Sequence, residues 1–281
     1  MPRRTHYDKP FPHCDGPKLH QFRDHAAPIS LVRLISQPVA ASETSSQAQA
    51  HVFEASISSK TYALKIFRYY DDTDDLEALT REDRKHISAD IVRSHRDPFL
   101  CECRAYGRLI EKNLNGKVAV RCHGYLTLPA DREEELQRKF HVGDWNRPRS
   151  EYDKPPHKRQ PFRAIVKDLI TADIPLTEKV AKVMLKHLKQ MRRVGVYPMD
   201  VTARNYVGGL LVDFSIAITT PHYLFEIKTP MRVRFYQRND LISWQSMVRD
   251  AGIETWERAV PSSEYRKKLR PRDETGRARK S

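Results

Sequence analysis

Glycine is scarce in this chain: there are 10 among 281 residues, and none between Gly16 and Gly107. A glycine-rich phosphate loop needs residues without a Cβ so that backbone N–H groups can close over the anion. That stretch therefore holds no such loop, and within it the Ser36–Ala50 segment is rich in Ser, Ala and Gln. Cysteine is also sparse. Cys14, Cys101, Cys103 and Cys122 form neither a C-x-x-C pair nor a zinc spacing, so reduced structural thiols in an intracellular protein are expected. No apolar run approaches the ~20 residues that a membrane-crossing helix needs. The basic start, Pro2-Arg3-Arg4, has no apolar stretch behind it, so neither a membrane protein nor a secreted one is expected.

What is present supports a folded core: 39% of residues are hydrophobic and 31% charged, in a length that suits one large domain or two small ones. The net charge of +14 is concentrated. Residues 265–281 hold eight Lys/Arg against Asp273 and Glu274. Residues 138–163 hold eight more against Asp144, Glu151 and Asp153, interspersed with Pro148, Pro155, Pro156 and Pro161. Both segments read as loop-like or disordered. They are either solvated arms or non-specific contacts to nucleic acid or an acidic partner through counterion release.

Residues 1–26 read as a polar lead-in. Ile29–Ile35 is the first apolar stretch, and His51–Ile57 and Thr61–Phe67 read as strands of a hairpin across Ser58-Ser59-Lys60. An acidic cluster from Asp71 to Glu77 opens a polar insertion reaching about Pro98. Phe99–Lys112 reads as a helix, Val118–Val120, Tyr125–Leu128 and Arg163–Ile170 as strands, and a second insertion spans about 130–161. Lys179–Arg193 is an amphipathic helix with Val180, Val183, Met184, Leu188 and Met191 on one face, Thr177 as N-cap and Gly195 as stop.

The stretch from Gly195 to Ser215 is the most informative. Gly208-Gly209 is a two-residue hairpin turn between Tyr206-Val207 and Leu210-Leu211-Val212. Closing it brings Asn205 alongside Asp213, an amide oxygen and a carboxylate that together suit Mg²⁺. Asp200, on the loop leaving the long helix, is placed to orient an attacking hydroxyl. An Asp in a loop is more often only a turn former; the ordered set is more specific than any member. Upstream, Ala63 and Lys65 share one face of a strand, leaving room for a flat base beside an ammonium that reaches phosphate. Glu102, on the helix near Phe99, would hold that lysine. The plainer readings are a surface lysine and an exposed helix glutamate.

In this order Lys65, Glu102, Asp200, Asn205 and Asp213 resemble the protein-kinase-like superfamily: strand lysine, helix glutamate, catalytic-loop Asp and Asn, and a metal-binding Asp before Phe. The chain is further similar to the fungal kinetochore subunit family of the Sim-four complex, Fta-two type. That similarity rests on His13-Cys-Asp-Gly-Pro-Lys18-Leu, Tyr62-Ala-Leu-Lys-Ile-Phe67, Glu102-Cys-Arg-Ala-Tyr-Gly107, Cys122-His-Gly-Tyr125, Arg163-Ala-Ile-Val-Lys167 and Val212-Asp-Phe-Ser215, over roughly residues 11–222. The resemblance implies an α+β, two-lobe fold. Residues 27–170 would form a five-strand antiparallel sheet plus one helix, and 171–260 an abbreviated, mostly helical lobe ahead of a disordered basic tail at 261–281. A hinge near Asp168–Ala172 would join them, with ATP and Mg²⁺ as cofactors in the cleft between. Ala63, Lys65 and Asp168 would line the nucleotide, Asn205 and Asp213 the metal, and Asp240-Leu-Ile-Ser-Trp244 would begin the lobe-organising helix.

The departures are equally specific. Pro198-Met199 replaces the usual His-Arg before the catalytic Asp, and Asp213-Phe214-Ser215 replaces Asp-Phe-Gly. Three functions stay open at this point: an ATP- and Mg²⁺-dependent phosphotransferase, a non-catalytic kinase-like scaffold in a kinetochore or other nuclear assembly, and a basic nucleic-acid-binding protein acting through its arms.

Overall fold

The computed structural model describes residues 15–36, 49–172, 174–255, 257 and 259. Cys14, residues 37–48 of the Ser36–Ala50 segment, and the basic tail at 265–281 lie outside the described residues.

Strands β1 (Ile29–Leu34), β2 (Ala50–Ile57) and β3 (Lys60–Phe67) form an antiparallel meander. The β2–β3 turn is Ser58-Ser59, with φ of 49° and 62°. Two consecutive left-handed residues give the turn whose twist matches the strands, here without glycine. Three short helices follow: α1 (Thr73–Glu77), α2 (Asp83–His86) and α3 (Ala89–Arg96). The polar insertion is thus helical and carries its own core, in which Leu79, Ile87 and Val92 pack with Tyr197, Ile218, Tyr223 and Leu224. Its acids are used internally, with Asp75 on Arg96 at 2.7 Å and Asp72 paired to Arg93.

Helix α4 (Pro98–Glu111) starts at Asp97, whose carboxylate accepts from Phe99 N–H at 3.0 Å, with Pro98 in the first turn. The same carboxylate takes the Arg163 guanidinium at 2.6 and 3.3 Å, so the helix start is tied to the sheet by a buried ion pair. Strand β4 (Cys122–Leu128), helices α5 (Arg132–Phe140) and α6 (Arg149–Tyr152) and strand β5 (Phe162–Asp168) complete the first lobe. The sheet order is β1-β2-β3-β5-β4, antiparallel throughout. The expected mixed α+β lobe with a five-strand antiparallel sheet is the one observed.

Two expectations are corrected here. Val118–Val120 is not a strand: Ala119 makes isolated bridges to Asn115 and Leu211, and the three residues are buried between α4 and the second lobe. Residues 138–163 are mostly loop, as expected, but the loop packs against the sheet and is not a solvated arm. Leu136, Val142 and Trp145 fill the sheet core, and Arg147 lies over the Tyr69 and Phe162 rings at 4.4 and 5.1 Å while holding Glu133 at 3.0 Å. The aromatic faces and the acid absorb a charge that composition alone assigns to solvent.

The described part of the lead-in, residues 15–26, is also built into the fold. His20 and Phe22 exchange backbone hydrogen bonds with Tyr125, at 3.1 and 2.7 Å, and Leu19 and Phe22 are buried. A Cβ on Gly107 would stand 2.6 Å from the Lys18 backbone, and one on Gly124 would stand 2.7 Å from Phe22 N. These two glycines let the strap pass between α4 and β4.

The second lobe is mainly helical: α7 (Glu178–Arg193), β6 (Val196–Tyr197), the hairpin β7 (Tyr206–Val207) and β8 (Leu210–Leu211), β9 (Ile218–Thr219), α8 (Tyr223–Ile227) and α9 (Pro230–Asp250). Thr177 caps α7 as expected, accepting from Val180 N–H. Val183, however, is 43% exposed, and Leu185 takes its place in the core. Helix α9 starts at Pro230, so Asp240 lies mid-helix, buried against Arg192 at 2.6 Å. Its carboxyl is pushed up by burial, against the pull of Arg192. Trp244 locks α9 to α7 by donating Nε1–H to the Ala181 carbonyl at 3.1 Å.

Candidate functional site: a buried charge cluster between the lobes

The β7–β8 turn is Gly208-Gly209, with φ of 58° and 73°, the two-glycine hairpin expected. Closing it lets Val212 N–H donate to the Asn205 carbonyl at 2.9 Å, which sets the residue before Asp213 against Asn205. Asn205 Nδ2 in turn donates to the Asp200 carbonyl at 3.1 Å. Asp200 is partly exposed, with Arg204 at 3.6 Å.

Strand β3 brings Lys65 to the same place from the other lobe. Its ammonium meets Glu102 at 2.7 Å and Asp213 at 2.8 Å, and donates to Ser215 Oγ at 2.6 Å. Lys65 and Glu102 are buried, whereas the Asp213 side chain keeps 35% of its surface. Burial works against the charge on Lys65, but Asp213 and Glu102 outweigh it and raise its proton affinity. For Asp213, burial raises the pKa, yet Lys65, Lys167 and the N–H of Ser215 (2.7 Å) hold the carboxyl well below the usual range. Both groups stay charged.

Of the residues singled out in the sequence, Lys65 touches both Glu102 and Asp213, Asn205 is bonded through its carbonyl to Val212, next to Asp213, and Asp200 is linked to Asn205 through the Asn205 side-chain amide. Ala63 stands two residues from Lys65 on the same strand face, opposite Lys167 in the register. Asp168 lies apart: its carboxylate meets His123 Nε2 at 2.6 Å and is about half exposed at the end of β5.

Sequence reasoning missed Lys167. Buried on β5, it gives Glu102 a second ammonium at 2.7 Å and donates to the Val212 carbonyl at 2.8 Å. Glu102 thus lies between two lysines, one on each carboxylate oxygen. The signal was a lysine two residues beyond Ile165, sharing its strand face with Ile165 and pointing inward by the two-residue period. Ser215 was read only as a lost glycine, yet it closes the ring by accepting from Lys65 and donating its N–H to Asp213.

The donor set admits a metal in part. Lys65 and Ser215 occupy Oδ1 of Asp213, leaving Oδ2 for a cation, and Asn205 Oδ1 has no hydrogen-bond donor among the described residues. Two oxygens suit Mg²⁺ only when water and phosphate complete its shell. Among the described residues no group of three or more His, Cys, Asp or Glu is arranged for a metal.

The model of the family described as kinetochore Sim4 complex subunit FTA2 matches residues 7–218. The chain belongs to that family. Among solved structures it is similar to one titled "Structure of vaccinia related kinase 3", at 12% identity and a TM-score of 0.42, covering 95% of this chain and 80% of that one. No curated protein sequence gives a significant match. The family expected from the sequence is thus found. Among the described residues no helix is long and apolar enough to cross a membrane.

Proposed function

We propose that this chain is a structural, kinase-like subunit of a kinetochore assembly in the nucleus, and that the cluster between its lobes serves as an internal lock. One observation carries the reading: two buried ammoniums, Lys65 and Lys167, are matched by Glu102 and Asp213, and Lys167 is further tied to the Val212 carbonyl. The cluster is balanced without phosphate, so bringing an anion there would break ion pairs already made in a low-dielectric site. The family membership supports kinetochore partners.

A second reading is favoured by the exposed edge of Asp213 and by the Lys65–Glu102 pair. In it the chain is an ATP- and Mg²⁺-dependent phosphotransferase. Asn205 and Asp213 would hold Mg²⁺, Lys65 the phosphates, Asp200 the acceptor hydroxyl, and Ala63 and Asp168 would flank the base. Bound Mg²⁺ would supply neutralisation of phosphate charge. The two readings separate in a melting-temperature titration with ATP, with and without Mg²⁺. Ligand at 100 times its Kd adds about 2.7 kcal/mol of stability. The structural reading expects no shift and no phosphate release. A Mg²⁺-dependent shift that disappears in Asp213→Asn, together with turnover, would replace it by the second. Reconstitution with purified Sim4-type kinetochore subunits tests the assembly role, and failure to co-elute with any of them counts against it.

A further inference from the structure

The outward face of α7 carries a feature that the reading above does not use. Lys179, Lys182, Lys186, Lys189 and Arg193 are all exposed. At about 100° per residue they fall within an arc of about 80°, opposite the buried Met184, Leu188 and Met191. With 1.5 Å of rise per residue the row is about 21 Å long and straight. The acids near it sit at its N-terminal end, where Glu178 pairs with Lys182 at 2.8 Å and Glu257 lies close by. Lys186, Lys189 and Arg193 have no ion-pair partner among the described residues.

We propose that this face of α7 docks the phosphate backbone of a double-stranded nucleic acid. A duplex presents phosphates every 3.4 Å of axis per strand, so the row spans about six of them. Protein interfaces concentrate apolar and aromatic groups and are depleted of lysine, whereas among the described residues of α7 Val183 is the one exposed large apolar side chain. A single strand would call for aromatic platforms, and the row has none. Cations without base-reading side chains position a duplex and do not read its sequence.

The test measures anisotropy of labelled duplex DNA, duplex RNA and single strands of equal length, with polyglutamate as competitor, using the full chain. The triple variant Lys186→Gln, Lys189→Gln, Arg193→Gln is compared with wild type after its melting temperature shows that it is folded. Each phosphate contact contributes a slope of about −0.9 in log K against log salt. The variant's slope should therefore be less negative by about 2.7, a difference of about 40-fold over a fourfold rise in salt. The two duplex arms identify which nucleic acid is held. An unchanged slope in the triple variant, with binding lost on neutralising 265–281 instead, overturns the proposal. So do polyglutamate competing as well as duplex, single strands binding as tightly, or no binding at all.

Discussion

Replacing Lys167 with methionine keeps the length and apolar stem of the side chain and removes only its charge. Glu102 then loses the ammonium on one carboxylate oxygen, the Val212 carbonyl loses its donor, and the cluster is left with one lysine against two carboxylates. Removing one partner of a buried ion pair costs about 3–5 kcal/mol, because the remaining charge stays desolvated. For a chain of this size each kcal/mol moves the melting temperature by about 2–4 °C, so a fall of about 10 °C is expected. Thermal and urea unfolding measure it. Lys182→Met, which removes an exposed pair with Glu178, serves as the control and should change stability by under about 1 kcal/mol. Adding Glu102→Gln to Lys167→Met should recover part of the loss, with a coupling above about 1 kcal/mol. If Lys167→Met melts with its control, the lysine is not part of a closed cluster and the structural reading of the site falls with it.

The depressed Asp213 carboxyl contributes stability above its unfolded value of about pH 3.9, and that stability is lost as pH falls through the folded value. Acid unfolding of Asp213→Asn should accordingly be flatter than that of wild type below about pH 4, and parallel curves would refute the linkage. Gly107→Ala places a methyl against the Lys18 backbone, and overpacking that cannot relax costs about 3 kcal/mol; an unchanged urea midpoint would mean that the strap does not lie there. Trp145→Ala should cost about 3–5 kcal/mol, because the indole is fully buried with Phe162 at 4.7 Å and His51 at 5.0 Å. A loss below about 1 kcal/mol would return residues 138–163 to the surface.

The chain's local patterns settled what depends on neighbours in sequence. Alternation marked β2 and β3, the helical period and Thr177 marked α7, and Gly208-Gly209 announced a hairpin whose geometry requires two left-handed residues. From that hairpin the approach of Asn205 to Asp213 followed, because a two-residue turn fixes the register of its flanks. Lys65 and Glu102 follow from the strand period together with a motif order that resembles the protein-kinase-like superfamily.

Packing decided the rest. The basic 138–163 segment looked solvated because composition counts charges without seeing the Tyr69 and Phe162 faces that Arg147 covers. Val183 and Leu185 both suit a helix interior, and only the placement of α7 against α9 chose between them. Lys167 became the second counter-ion of Glu102 because β5 lies beside β3 with Ala63 opposite it, a pairing across 104 residues of chain. A charge's meaning depends on how much water it keeps and which opposite charge meets it, and both are properties of the assembled chain.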